Sequence, residues 1–132
     1  MNHDTPLEKF IKVYGKSEVV FEESSIGKEM FVVCSGKVKL FTEPASGRRT
    51  LLATLGPGEH FGEMALVDKS PRSATAMAVQ DNTKLVVLDK AKFMYLVQQQ
   101  PDFAFSVMET LCKRLRDTNL NLAQARSTRK QT

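Results

Sequence analysis

No apolar run in these 132 residues approaches the roughly 18 that a membrane-spanning helix needs. Met1 to Phe10 (MNHDTPLEKF) also lacks the apolar core of a secretory signal, so a cytoplasmic chain without a membrane span is expected. Cysteine is scarce. Cys34 and Cys112 stand far apart, each in an apolar pattern, which excludes a disulfide framework and predicts two buried, reduced thiols. Of two histidines, His3 lies close to the terminus, leaving His60 as the credible ordered imidazole. No Ser/His/acid or Cys/His set can be assembled around it. Gly56-Pro57-Gly58 is not followed by the spacing of a dinucleotide-binding loop, and no Gly-Lys-Ser/Thr phosphate loop occurs. These absences remove most enzyme classes and leave a binding protein.

What is present fits one soluble domain, with 42% apolar and 26% charged residues and enough chain to bury a core. The net charge of +4 is unevenly spread. From Lys113 to Thr132 there are six basic residues (Lys113, Arg114, Arg116, Arg126, Arg129, Lys130) against the single acid Asp117. Such a cluster suits nucleic acid or an acidic partner, and equally a solvated helix face running into a basic tail over 126–132.

Asp4-Thr5-Pro6 followed by Leu7, Phe10 and Ile11 reads as a capped N-terminal helix over 5–14. From 18 to 88 the pattern turns to short β-type runs punctuated by glycine. The predicted strands are 19–21, 30–33, 38–40, 50–53, 73–79 and 85–88. Ser35-Gly36 and Pro44 to Gly47 read as hairpin turns, and Gly56-Pro57-Gly58 as irregular backbone. This is a mainly β fold, an antiparallel roll or sandwich with flanking helices. Asp89 caps a helix to about Gln98, and Pro101 opens another to about Ala125. Along the second, Met108, Leu111, Leu115, Thr118, Leu122 and Ala125 alternate by three and four. The first half of that stripe is assigned to packing on the β-domain, and the stretch beyond Leu115 to a homodimer seam.

The stretch 61–74 (FGEMALVDKSPRSA) carries the chemistry. After Gly62, Glu63 to Leu66 can form one helical turn whose first N–H groups suit an anion. Arg72 brings a planar, permanently charged fork for two phosphate oxygens. Ionised Glu63 only accepts hydrogen bonds; it repels phosphate and receives a hydroxyl proton. A ligand carrying both a phosphate and a sugar hydroxyl answers both residues, and a Glu63–Arg72 ion pair closing a loop is the alternative. His60 with Glu63 superficially resembles the metal ligands of cupin-type barrels, but the further imidazoles such a site needs are lacking, so no metal is expected.

Gly58 to Leu66 (GEHFGEMAL) followed by Pro71 to Ala74 (PRSA) resembles the phosphate-binding cassette of the cyclic nucleotide-binding domain family. Gly27, Phe31, Gly36 to Val38, Gly47 and Leu55 stand in the order and spacing of that family's hairpins, and the resemblance spans residues 5 to about 125. It implies an eight-stranded, jelly-roll-like β-roll with an N-terminal helix and a long C-terminal helix. It assigns backbone groups of Gly62 and Ala65 to the ligand, Glu63 to the ribose 2′-OH and Arg72 to the cyclic phosphate. Ser73 is assigned to phosphate or a guanine amino group, and Met64 and Ala74 are counted in the same binding segment. Pro101 to Leu115 resembles the long helix of catabolite-activator-type regulators, whose polar seam residues contact adenine. The matching positions are Thr118 and Asn119, with Arg114 one turn earlier.

The implied ligand is cAMP, with cGMP left open by Ser73 and cyclic dinucleotides disfavoured by Glu63; no cofactor is implied. Two departures stand out. Ser24-Ser25 occupies a turn where the family commonly has Gly-Asp, and only seven residues follow Ala125 where activator-type regulators continue into a helix-turn-helix. The expectation is therefore a stand-alone receptor module that signals to a separate effector protein; the alternative is a nucleotide-independent interaction or DNA-associated module using the basic tail, with direct DNA binding not expected.

Overall fold

The computed structural model describes residues 6–130. Pro6–Phe10 forms a short 3₁₀ turn, and the chain then enters strand β1, Ile11–Tyr14. The helix expected over 5–14 is thus corrected, its proposed Asp4-Thr5 cap lying outside the described residues. Ile11, Val13 and Tyr14 favour extended backbone, and β1 pairs antiparallel with the strand at 83–88 from Ile11↔Val86 to Tyr14↔Thr83. Ladder pairing outweighs the helical start.

The remaining strands are β2 (Val19–Phe21), β3 (Met30–Ser35), β4 (Val38–Thr42), β5 (Thr50–Leu55), β6 (His60–Phe61), β7 (Thr75–Ala78) and β8 (Thr83–Leu88). They form two four-stranded antiparallel sheets, ordered β1-β8-β3-β6 and β2-β7-β4-β5. Pro44 to Gly47 is a hairpin turn joining β4 to β5, closed by the Gly47 amide donating to the Pro44 carbonyl at 2.7 Å. Ser35-Gly36 is not a hairpin. It carries the chain from one sheet to the other, because β3 and β4 belong to different sheets. Gly36 sits at φ 86°, and a Cβ there would lie 2.8 Å from the Cα of Thr83. Only glycine fits this corner.

Both sheets turn an apolar face inward. Phe31, Val33, Leu85 and Phe61 from one, and Val38, Leu55, Ala76 and Ala78 from the other, make a continuous buried cluster. In β3 the side chains alternate, so Phe31 and Val33 point into that cluster while Cys34 faces outward and is exposed. Cys112 is exposed too, and the expectation of two buried thiols is corrected for both. At one end of the core, Phe21, Phe31 and Phe61 pack ring to ring, the last two stacked with centroids 5.2 Å apart.

The chain divides into two compact units with the boundary after Phe93. Asp89 caps α2 (Lys90–Gln99): its carboxylate accepts the Lys92 amide at 2.8 Å. Pro101 opens α3 (Pro101–Lys130), a helix about 45 Å long at ~1.5 Å per residue. It continues past the expected end at Ala125, so Arg126, Arg129 and Lys130 lie on helical backbone rather than on a separate tail. Along it Met108, Leu115 and Leu122 are 54%, 62% and 49% exposed. No helix among the described residues is long and apolar enough to cross a membrane.

Candidate functional site

The site is assembled where β6 gives way to a six-residue helix, α1 (Glu63–Asp68). Gly62 makes that switch in the left-handed region, at φ 81° and ψ 7°. A Cβ on it would fall 2.9 Å from Nη1 of Arg72 and 3.3 Å from the Glu29 carbonyl oxygen. Ala65 is the buried residue of α1, and Met64 is exposed. After Lys69, itself left-handed at φ 60°, the Ser70 hydroxyl and amide both donate to the Asp68 carboxylate, holding its pKa below the usual carboxylate range. This tight turn aims the chain back through Pro71 to Arg72.

Arg72 is held from both ends. Its amide donates to the Ser25 carbonyl at 2.9 Å, and its carbonyl accepts from the Ser24 amide at 2.7 Å. Ser24-Ser25, distant from Arg72 in sequence, is therefore its backbone partner. Ser24 adopts φ 70°, a left-handed position where a glycine would be at ease. The Arg72 side chain runs inward, leaving the residue only 6% exposed. Its Nη1 donates to the Gly62 carbonyl at 3.1 Å, and its Cζ lies 4.1 Å from the centroid of Phe21. Gly27 passes so close that a Cβ would meet Nη2 at 2.3 Å. Burial pushes the guanidinium's pKa down, and the charge of Glu29 opposes the shift. Nε of Arg72 is buried without a hydrogen-bond partner among the described residues.

Glu63 is not the counter-ion of Arg72. Its Oε1 lies 2.9 Å from Nδ1 of His60, with the two side chains 14% and 5% exposed. An ionised carboxylate only accepts, so the facing nitrogen is the one that carries the proton. The loop-closing Glu63–Arg72 ion pair weighed from the sequence is thereby set aside. Among the described residues no group of three or more His, Cys, Asp or Glu could hold a metal.

Of the other residues singled out in the sequence, Ser73 is exposed and Ala74 buried beside Arg72 in the chain. Arg114, Thr118 and Asn119 lie on α3 in the second unit, where Thr118 and Asn119 are exposed. Sequence reasoning missed three contributors. Phe21 and Gly27 make the platform for Arg72 across 51 and 45 residues of chain, and no local spacing signals that. His60 was read for metal, whereas its three-residue offset from Glu63 was the available sign of a pair.

A buried cation stacked on an aromatic ring, beside a separately anchored carboxylate, can bind a ligand bearing an anion and a hydroxyl donor. The family model of the Cyclic nucleotide-binding domain matches residues 11–100. A Cyclic AMP receptor protein of Thermus thermophilus is 39% identical over 111 residues, covering 84% of this chain and 51% of that protein. A CRP-like cAMP-activated global transcriptional regulator of Mycobacterium tuberculosis is 31% identical over 110 residues, 83% of this chain and 49% of that protein. In structure, the Thermus thermophilus Catabolite Activator Protein superposes with a TM-score of 0.79 at 38% identity, over 90% of this chain and 56% of that one. The chain belongs to the cyclic nucleotide-binding domain family. It spans about half the length of the two regulators it matches in sequence.

Proposed function

We propose that this chain is the receptor domain for a 3′,5′-cyclic nucleotide, cAMP ahead of cGMP. Arg72 takes the cyclic phosphate, Glu63 the ribose 2′-hydroxyl, and Gly62 and Ala65 offer backbone groups to the same ligand. The observation that carries the reading is Arg72: a guanidinium buried on Phe21, with Nε unpartnered and Glu63 committed to His60 instead. A buried cation calls for a charged partner, and a planar fork matches phosphate oxygens. Two relatives named for cAMP support the choice of base. The resemblance extends the reading to α3, with Thr118 and Asn119 on the base and Arg114 beside them; support there is the resemblance together with the exposure of Thr118 and Asn119.

Ligand shifts the population of states of the helix from Pro101, and an effector protein reads that shift. The exposed Leu115 and Leu122 suit a second copy of α3. Calorimetric titration with cAMP and cGMP tests the reading: saturable binding, tighter for cAMP, is expected, and no saturable binding of either at high micromolar ligand overturns it. Hydrogen exchange tests the shift, with protection over 101–125 expected to change on adding cAMP; unchanged protection refutes it.

A further inference from the structure

His60 is a buried imidazole that the binding of a nucleotide does not by itself require. It occupies the first position of β6, a two-residue strand paired with β3 through Val32↔His60 and Phe31↔Phe61. Its backbone is therefore tied to β3 at the edge of one sheet. Two residues later Gly62 turns the chain into α1, which brings the Glu63 carboxylate back over the imidazole at 2.9 Å. The imidazole is anchored to the sheet, whereas Glu63 stands at the first position of a helix of only six residues. A glutamate there has three side-chain torsions to restrict before it can receive a hydroxyl proton.

We propose that His60 is a positioning residue for Glu63, a role that rests on the cyclic nucleotide reading of the site. Its Nδ1–H holds Oε1, so the carboxylate is oriented before the ligand arrives and the ordering cost is not charged to binding. The imidazole meets the Glu63 carboxylate at 2.9 Å, so its effect on the ligand is carried to the part that Glu63 receives. His60 thus sets discrimination between a ribose and a 2′-deoxyribose, while affinity for the phosphate stays with Arg72.

The test is a set of binding isotherms for cAMP and 2′-deoxy-cAMP with the wild type, His60→Leu, His60→Asn and His60→Gln. Asparagine places an amide nitrogen close to the position of Nδ1, whereas glutamine carries it one methylene further. His60→Leu is expected to weaken cAMP about threefold to tenfold and leave 2′-deoxy-cAMP within about twofold. His60→Asn is expected to restore the cAMP preference, and His60→Gln to restore less of it. If His60→Leu does not fold, the contrast between asparagine and glutamine decides, and equal preference in those two overturns the proposal. Parallel loss of both ligands in His60→Leu, the mark of a merely structural histidine, also overturns it. Wild-type protein that binds neither nucleotide refutes the reading of the site itself. Wild-type protein that binds both equally refutes the role of Glu63, and that of His60 with it.

Discussion

Gly27 lies against the guanidinium of Arg72 so closely that a Cβ at residue 27 would sit 2.3 Å from Nη2 and 2.6 Å from Nε. Gly27 has no positive φ, so an alanine there meets no left-handed backbone penalty, and the three atoms nearest its Cβ all belong to the Arg72 guanidinium. Gly27→Ala is therefore expected to fold with little loss of thermal stability while displacing the guanidinium, and to weaken cAMP binding about tenfold. Unchanged affinity in a folded Gly27→Ala protein contradicts this placement of the arginine.

Gly62 and Gly36 separate binding from stability. Both have positive φ, at 81° and 86°, so alanine at either costs about 1–2 kcal/mol in backbone strain. At Gly62 the added carbon also meets Nη1 of Arg72, at Gly36 the backbone of Thr83 in the corner between sheets. Gly62→Ala should lose both stability and cAMP affinity, and Gly36→Ala stability alone. Denaturant melts paired with isotherms of each variant check the contrast, and it fails if the two variants lose affinity alike.

Tyr14 ties β1 to the core and has an alkaline signature. Burial, helped by the charges of Glu29 and Glu18, pushes its pKa from 10.0 up to about 12. Between those values the unfolded chain gives up the phenol proton and the folded chain keeps it. Stability present below pH 10 is therefore lost as pH rises towards 12, by up to roughly 2 kcal/mol from this residue. The decline over that window is expected to be shallower in Tyr14→Phe, and identical slopes argue against a buried phenol.

On α3 the proposed seam makes a prediction about assembly. Replacing Leu115 and Leu122 by glutamate puts charges into the apolar stripe, and light scattering should show a shift from dimer to monomer. A wild type that is monomeric with and without cAMP refutes the seam.

Much of the roll was legible in the sequence because it rests on local alternation. The runs at 30–33, 38–40, 50–53 and 85–88 lie within strands, and Asp89 and Pro101 mark their helices. The failures share a cause. Ile11 to Tyr14 is short and follows a helical cue, and only the edge of β8 makes it a strand. Two-residue β6 has no period to detect. Ser35-Gly36 encodes a bend, while which sheet receives the next strand is set by pairing of β4 with β7, whose residues lie nearly 40 positions away. At the site, Gly62, Glu63 and Arg72 announce themselves through one contiguous motif. The platform under Arg72, made of Phe21, Gly27 and the Ser24-Ser25 turn, is a product of packing and carries no local mark.

In the proposed function, the buried Arg72 is the anion-binding group for a cyclic nucleotide phosphate. Calorimetric titration of cAMP into wild-type and Arg72→Ala protein tests it most directly. Charge-assisted hydrogen bonds of this kind are worth about 1.5–3 kcal/mol, so saturable wild-type binding and a loss of tenfold to beyond a hundredfold in the variant are predicted. Equal affinity of a folded Arg72→Ala protein and the wild type would contradict it.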